Sequence, residues 1–191
     1  MSKKILILNG SPRKNGNTSC LIDYFIKGTE SVGNSVTRFD LQKMNIKPCI
    51  GCGNGGADEN KENPCTQKDD MAKIYCTYYE ADTIVFATPL YSWGMSAQLK
   101  TAVDRFAAIL EANVQARNGE NIFDTKEAVL LVAAGDDFEE NFMPLVHHYK
   151  AIVKYLTWID KGMVLAGGVS GIGDIAGKPF FDEAQKLGAS I

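Results

Sequence analysis

Apolar positions along this chain follow two rhythms: short continuous runs, and longer stretches with apolar residues spaced three and four apart. The first run, KKILILNG, is apolar from Ile5 to Leu8 and is closed by Asn9 and Gly10. Such a run predicts a strand buried on both faces. TSCLIDYFIKGTESVG then places Leu21, Ile22, Phe25 and Ile26 on one helical face, with Asn17 and Thr18 as candidate N-caps and Gly33 as a stop. SVTRFDL alternates loosely and predicts a more exposed strand. DDMAKIYCTYYEAD predicts a helix capped by Asp69 or Asp70, and DTIVFATP a second buried strand. SAQLKTAVDRFAAIL carries Leu99, Val103, Phe106 and Leu110 on one stripe behind a Ser96 cap. EAVLLVAAG is a third buried strand. Phe142, Val146, Tyr149, Val153 and Leu156 form another helical stripe, WIDKGMVLAGG is the last strand, and FDEAQKLG is a short closing helix.

Strands separated by helices imply parallel pairing through right-handed crossovers. Five strands fit a three-layer α/β sandwich with the flavodoxin-like order 2-1-3-4-5. In that order ligands sit beyond the strand carboxyl ends, at the switch between strands one and three. The loops leaving those two strands are GSPRKNGNT and TPLYSWGMS. Residues 43–68 break the rhythm, holding two prolines, four glycines and three cysteines. They read as a Cys/Gly-rich excursion from a single domain spanning 1–191, without repeats or internal linkers.

Composition narrows the classes of function. The chain has 191 residues, is 45% hydrophobic and has a net charge of −3, so no general grip on nucleic acid is expected. Lys3 and Lys4 precede only four apolar residues, too few for a secretory signal, and no run is long enough to span a membrane. A cytoplasmic protein is expected. Five cysteines, an odd number in a core-rich chain, argue for thiol, metal or redox roles rather than a disulfide scaffold.

The first loop has the chemistry of an anion seat. A helix N-terminus offers unpaired N–H groups and partial positive charge. Ser11 and Thr18 add hydroxyls, Asn17 an amide and Arg13 a cation, glycine lets backbone approach a ligand, and no acidic residue occurs from Ser2 to Ile22. The same residue types would equally serve a plain turn and helix cap. The loop lacks the Gly-Lys-Ser/Thr of a triphosphate site. Gly51-x-Gly53-x-x-Gly56 and Gly171-x-Gly173-x-x-Ala176 lack the strand-turn-helix context of a dinucleotide fingerprint and read as loops. In the second loop, Leu90, Tyr91 and Trp93 offer a flat apolar wall, while Pro89 and Gly94 set the bend and permit close approach. Packing on a neighbouring helix or subunit is the competing reading. Together the loops suit a flavin mononucleotide (FMN), whose ring carries the chemistry, so no Ser-His-Asp triad is required.

LNGSPRKNGNT, PCIGC with a later PC and KDDM, EADTIVFATPLYSWGMSAQLKTAVDR, and the GGVSGIGDI tail together resemble the flavodoxin-like NAD(P)H-dependent FMN reductases, particularly the iron–sulfur flavoprotein branch. The resemblance implies that Ser11, Arg13, Asn17 and Thr18 hold the FMN phosphate. It implies that Pro89, Leu90, Tyr91, Trp93 and Gly94 line the isoalloxazine, and that a loop around Ala134 and Gly135 closes the site. NADH or NADPH would reduce the flavin, and a small-molecule acceptor such as a quinone, nitroaromatic or azo compound would reoxidise it. A homodimer or homotetramer is implied. Alternatives are an electron-transfer flavoprotein serving a protein partner, and a non-catalytic flavodoxin-like binding module.

Iron–sulfur relatives carry Cys-x2-Cys-x2-Cys and a fourth cysteine. Here Cys49 and Cys52 are followed by Gly55 in the third position, and Cys65 comes after an expanded stretch. A cubane cluster uses four thiolates, so neither a cluster nor a zinc site is expected from Cys49, Cys52 and Cys65. Cys49 and Cys52 read as a redox-active or stray pair, or as packing relics in an excursion serving as a lid or dimer arm; the second reading is preferred. His147 and His148 are expected on a helix surface, and Cys20, Tyr75, Tyr78 and Tyr79 in packing. Asp136, Asp137, Glu139 and Glu140 match a helix N-terminal dipole, or deter anionic substrates.

Overall fold

A computed structural model describes residues 2–53, 63–110 and 126–191. The elements run β1 (Lys4–Asn9), α1 (Asn17–Ser31), β2 (Ser35–Asp40), a 3-10 turn (Leu41–Lys43), α2 (Met71–Glu80), β3 (Thr83–Pro89), α3 (Ala97–Arg105), β4 (Glu127–Ala133), α4 (Glu139–Tyr155), β5 (Ile159–Ala166) and α5 (Phe180–Ala189). The five strands are parallel in the order β2-β1-β3-β4-β5, as the alternation of strands and helices predicts.

Side chains of a strand point alternately to its two faces. Leu6, Leu8, Ile84, Phe86, Leu130 and Val132 therefore share one core with α2, α3 and α4. Ile5, Ile7, Val85, Ala87, Val129 and Leu131 share the other with α1 and α5. The central strands are buried throughout, and this explains their unbroken apolar runs. β2 is an edge strand with alternating exposure, matching its looser pattern.

Helix ends adjust several expectations. α1 is capped by Gly16, not by Asn17 or Thr18, and Gly16 has no side chain to cap with. Val32 is the C-cap of α1, and Gly33 follows with φ 87°, the stop expected of glycine. For α2, the Asp69 carboxylate accepts the Met71 N–H at 3.0 Å. Asp70 turns instead to Asn45 and Lys73. Ser96 caps α3 as expected, accepting from the Leu99 N–H at 3.3 Å. The helix predicted through Leu110 breaks at Phe106 and resumes over 107–110.

Two glycines inside helices make one contact possible. A Cβ on Gly28 of α1 would drive into the Gln185 carbonyl of α5, and one on Gly188 into the Phe25 carbonyl of α1. The two helices thus touch backbone to backbone. Gly188→Ala is expected to lower stability by about 1–3 kcal/mol through this overpacking, measured by urea unfolding.

Candidate functional site

The carboxyl ends of β1, β3, β4 and β5 open onto one cleft. Its polar part is made by Ser11, Arg13, Gly16, Asn17, Thr18 and Ser170. Its apolar part is made by Pro89, Leu90, Tyr91, Ala133 and Val169, with Gly135 at the edge. No carboxylate is among these lining residues.

The polar part stands on a buried bracket. Asn9, 2% exposed at the end of β1, accepts the Ser11 N–H at 3.0 Å and donates to Asp40 at 2.9 Å. Arg38 and Lys43 also donate to Asp40, at 2.8 and 2.7 Å. Burial pushes the Asp40 carboxyl up, but the hydrogen bonds from Asn9, Lys43 and Arg38 outweigh it and hold it well below the usual carboxylate range. Gly10 serves packing rather than ligand approach: its Cβ would meet Ser96 Oγ at 2.5 Å and Leu99 Cβ at 2.7 Å. Ser96 Oγ donates to the Gly10 carbonyl at 2.8 Å, so the start of α3 is tied to the first loop.

The expected anion-seat residues divide by role. The first turn of α1 faces the cleft with no side-chain cap. Ser11 Oγ lies within reach of the Arg13 backbone, at 3.3 and 3.4 Å, and Thr18 is 2% exposed. Asn17 differs from its expected use. Its Nδ2 donates to the Val169 and Gly171 carbonyls at 2.9 and 2.8 Å, and its Oδ1 accepts the Gly173 N–H at 3.2 Å. The amide is spent on the loop after β5, leaving the Asn17 backbone to face the cleft. Arg13 is exposed and donates to the Ser170 carbonyl at 2.9 Å. The GGVSGIGDI tail is thus a fourth wall, and its Val169 and Ser170 were not singled out from the sequence. Their signal was the GGVSGIGDI tail itself, which carries part of the family resemblance without marking either residue.

In the second loop, Leu90 N–H donates to the Ala133 carbonyl at 2.9 Å. Tyr91 and Gly94 then exchange hydrogen bonds of 3.2 and 2.9 Å around Ser92 and Trp93. The bend was expected to need Gly94. The left-handed conformation falls instead on Ser92 (φ 46°) and Trp93 (φ 60°), and a Cβ on Gly94 would meet nothing closer than 3.8 Å. Two such non-glycine residues cost on the order of 1 kcal/mol or more each. Trp93 and Gly94 are outside the cleft lining, with Trp93 60% exposed. Ala134 is buried, donating to the Ala166 carbonyl at 2.8 Å and accepting from Val169 at 2.8 Å. Gly167 lets the third and fourth loops meet, since its Cβ would lie 2.7 Å from Asp137 Cα.

The excursion is pinned at its base. Asp69 and Arg105, both with buried side chains, pair at 2.8 Å and grip the Lys47 peptide from both sides: Arg105 donates to its carbonyl at 2.9 Å, and Asp69 accepts its N–H at 3.0 Å. Gln67 donates to the Pro48 carbonyl at 3.0 Å, and Cys52 Sγ lies 3.7 Å from Thr66 Oγ1. Cys49 and Cys52 are exposed and Cys65 is buried. Among the described residues no group of three or more His, Cys, Asp or Glu is placed to hold a metal ion. Gly55 and Gly56 lie outside the described residues. Among the described residues no helix is long and apolar enough to cross a membrane. His147 is exposed and His148 half-buried on α4, while Tyr75 and Tyr78 are core residues, as expected; Cys20 is half-buried.

A family model described as NADPH-dependent FMN reductase matches residues 3–155. An iron–sulfur flavoprotein of Methanocaldococcus jannaschii is 30% identical, over 98% of this chain and 95% of its own length. An iron–sulfur flavoprotein of Archaeoglobus fulgidus is 36% identical over 50% of this chain, and the match spans 42% of that relative's length. The solved NAD(P)H:quinone oxidoreductase from Methanothermobacter marburgensis shares the fold with a TM-score of 0.72, at 19% identity over 100% of this chain and 96% of that one. The chain belongs to the NADPH-dependent FMN reductase family. By that membership it is a flavoprotein oxidoreductase of the flavodoxin-like fold.

Two outcomes test this framework. Asp40 is held ionised in the fold, so its stabilising contribution is full above its unfolded pKa of about 4 and is lost as pH falls further. Melting temperature followed from pH 6 down to about 3 should fall less steeply in Asp40→Asn than in the wild type. Asp69→Leu strands the buried Arg105 charge and is expected to cost about 3–5 kcal/mol in urea unfolding.

Proposed function

We propose that the chain binds FMN in this cleft and passes electrons from NADH or NADPH to a small acceptor such as a quinone, a nitroaromatic or an azo compound. One observation carries the reading: a single cleft joins a carboxylate-free seat at an uncapped helix N-terminus to an apolar wall. These are the needs of a phosphate and of a flat ring. Ser11, Thr18, Arg13 and the backbone of Asn17 hold the phosphate. Pro89, Leu90 and Tyr91 face the ring, Gly135 closes the opposite side with Ala134 buried behind it, and Trp93 and Gly94 form the rim.

Bound FMN supplies hydride and electron transfer at its own ring. The chain's part is to bind, orient and exclude water. Among the described residues the cleft lining holds neither histidine nor carboxylate, and Tyr91 is its one side chain of a type that commonly exchanges protons. A homodimer or homotetramer is the expected assembly.

A second reading, electron transfer to a protein partner, is favoured by the relatives' shared name of iron–sulfur flavoprotein. A cubane cluster uses four thiolates, and among the described residues neither Cys49, Cys52 and Cys65 nor any other three of His, Cys, Asp and Glu are placed together to hold one. The described residues do not fit that group. Stoichiometric iron and sulfide in anaerobically purified protein would turn the choice toward the second reading.

The visible spectrum of purified protein, with and without NADPH under anaerobic conditions, is the direct test. A flavin spectrum that bleaches with NADPH, and parallel-line ping-pong kinetics with acceptor, are expected. Colourless protein that does not take up added FMN would sink the proposal. Ser11→Ala and Arg13→Ala should each weaken FMN binding roughly tenfold, equivalent to about 1.4 kcal/mol. Fluorescence titration with FMN measures it, and unchanged affinity in both variants would mean that the seat is misassigned.

A further inference from the structure

Two walls of the cleft are joined across its mouth by a side chain that the flavin reading leaves without a role. The Trp93 indole Nε1–H donates to Asn141 Oδ1 at 3.1 Å. Asn141 stands in the first turn of α4, and its Nδ2 donates onward to Asp136 Oδ2 at 3.5 Å. Asp136 directly follows Gly135, which edges the cleft. One half-buried amide thus links the loop after β3 to the loop after β4.

The segment it holds is strained. Ser92 and Trp93 occupy the left-handed region in sequence, at φ 46° and 60°. Turns with positive φ at both central positions favour Asn and Gly, which adopt it with little or no steric penalty. Neither residue is present here, so residue type does not supply the conformation. The root of the loop is fixed by the Leu90 N–H to Ala133 bond, and its tip has the Tyr91–Gly94 pair and Asn141. Leu90 and Tyr91 lie between root and tip, and both line the cleft.

We infer that Asn141 is a positioning residue for the flavin: by accepting the Trp93 indole N–H it holds the strained turn in place, so that Leu90 and Tyr91 stand as a fixed ring-facing wall. The inference rests on the FMN reading of this cleft. Its chemistry is specific. An acceptor at position 141 holds Trp93, so aspartate can replace asparagine there once Asp136 is changed to asparagine, which removes the facing carboxylate and supplies a donor in its place, whereas leucine of similar size cannot. Relief of the strain at Ser92 reduces the need for the link.

FMN affinity by fluorescence titration, the visible spectrum of bound flavin, and melting temperature without FMN form the test. They are read in Asn141→Leu, Asn141→Asp/Asp136→Asn, Trp93→Phe and the Asn141→Leu/Trp93→Phe pair. Asn141→Leu and Trp93→Phe should each weaken FMN binding about fivefold, and the pair should lose no more than either alone, because both remove one interaction. The exchanged pair Asn141→Asp/Asp136→Asn, which keeps the acceptor for Trp93 and the link to position 136, should stay within twofold of wild type. Ser92→Asn added to Asn141→Leu should recover at least half of the lost affinity. Melting temperature without FMN should move little, while the bound-flavin band should shift in the weakened variants. Equal affinity in wild type and Asn141→Leu overturns the inference, as do additive losses in the pair or a loss that Ser92→Asn does not relieve. Wild-type protein that binds no FMN at all overturns the functional reading, and this inference with it.

Discussion

Three backbone hydrogen bonds at the carboxyl edge of the sheet set the geometry on which the site depends. Gly10 N–H donates to Ala87 of β3, Leu90 N–H to Ala133 of β4, and Ala134 N–H to Ala166 of β5, at 2.8, 2.9 and 2.8 Å. Each loop leaves its strand with its exit amide pinned to the neighbouring strand. A buried amide must find a partner, and the neighbouring carbonyl is the available one in a parallel sheet. The loops therefore start at fixed heights along one edge. After β1 the chain turns to the α1 face, and after β3 to the α3 face. The gap this reversal opens is the cleft.

Around that edge, polar side chains are used for support more than for contact with a ligand. Asn9 sets Ser11 and is itself held by the Asp40 cluster. Ser96 links the first loop to α3, and Asn17 braces the tail loop. Rigid second elements of this kind hold ligand-facing groups to narrow tolerances. The groups left facing the cleft are few: the hydroxyls of Ser11, Thr18, Tyr91 and Ser170, one guanidinium, helix N–H groups and an apolar wall. That short set is what a cofactor carrying its own chemistry requires of its host.

The excursion is anchored by different physics. A buried carboxylate and guanidinium are expensive to remove from water unless their hydrogen bonds are met. Asp69 and Arg105 meet most of theirs on each other and on the Lys47 peptide, while Arg105 Nε has no partner among the described residues. The charge pair therefore fixes where the cysteine-bearing segment enters and leaves the core. Cys65 is drawn into that core, while Cys49 and Cys52 stay at the surface.

The sequence by itself determined the fold class, the strand order and the two loops that form the site. Unbroken apolar runs and three-to-four spacing report burial, and burial is what layers a parallel sheet between helices. Residue types also marked Ser11, Arg13, Thr18, Pro89, Leu90 and Tyr91, all of which line the cleft. What each polar side chain is bonded to was decided only in three dimensions. Asn17 looks identical in sequence whether it faces a ligand or a loop more than 150 residues away. Gly10 and Gly94 were read through local flexibility, yet a neighbouring helix explains the first, and the second carries no strain because Ser92 and Trp93 do. Val169, Ser170 and the link through Asn141 join segments distant along the chain, and local pattern holds no information about such pairs. Periodicity encodes which face is buried; partners across the cleft are set by how the loops, pinned at that edge, come to meet.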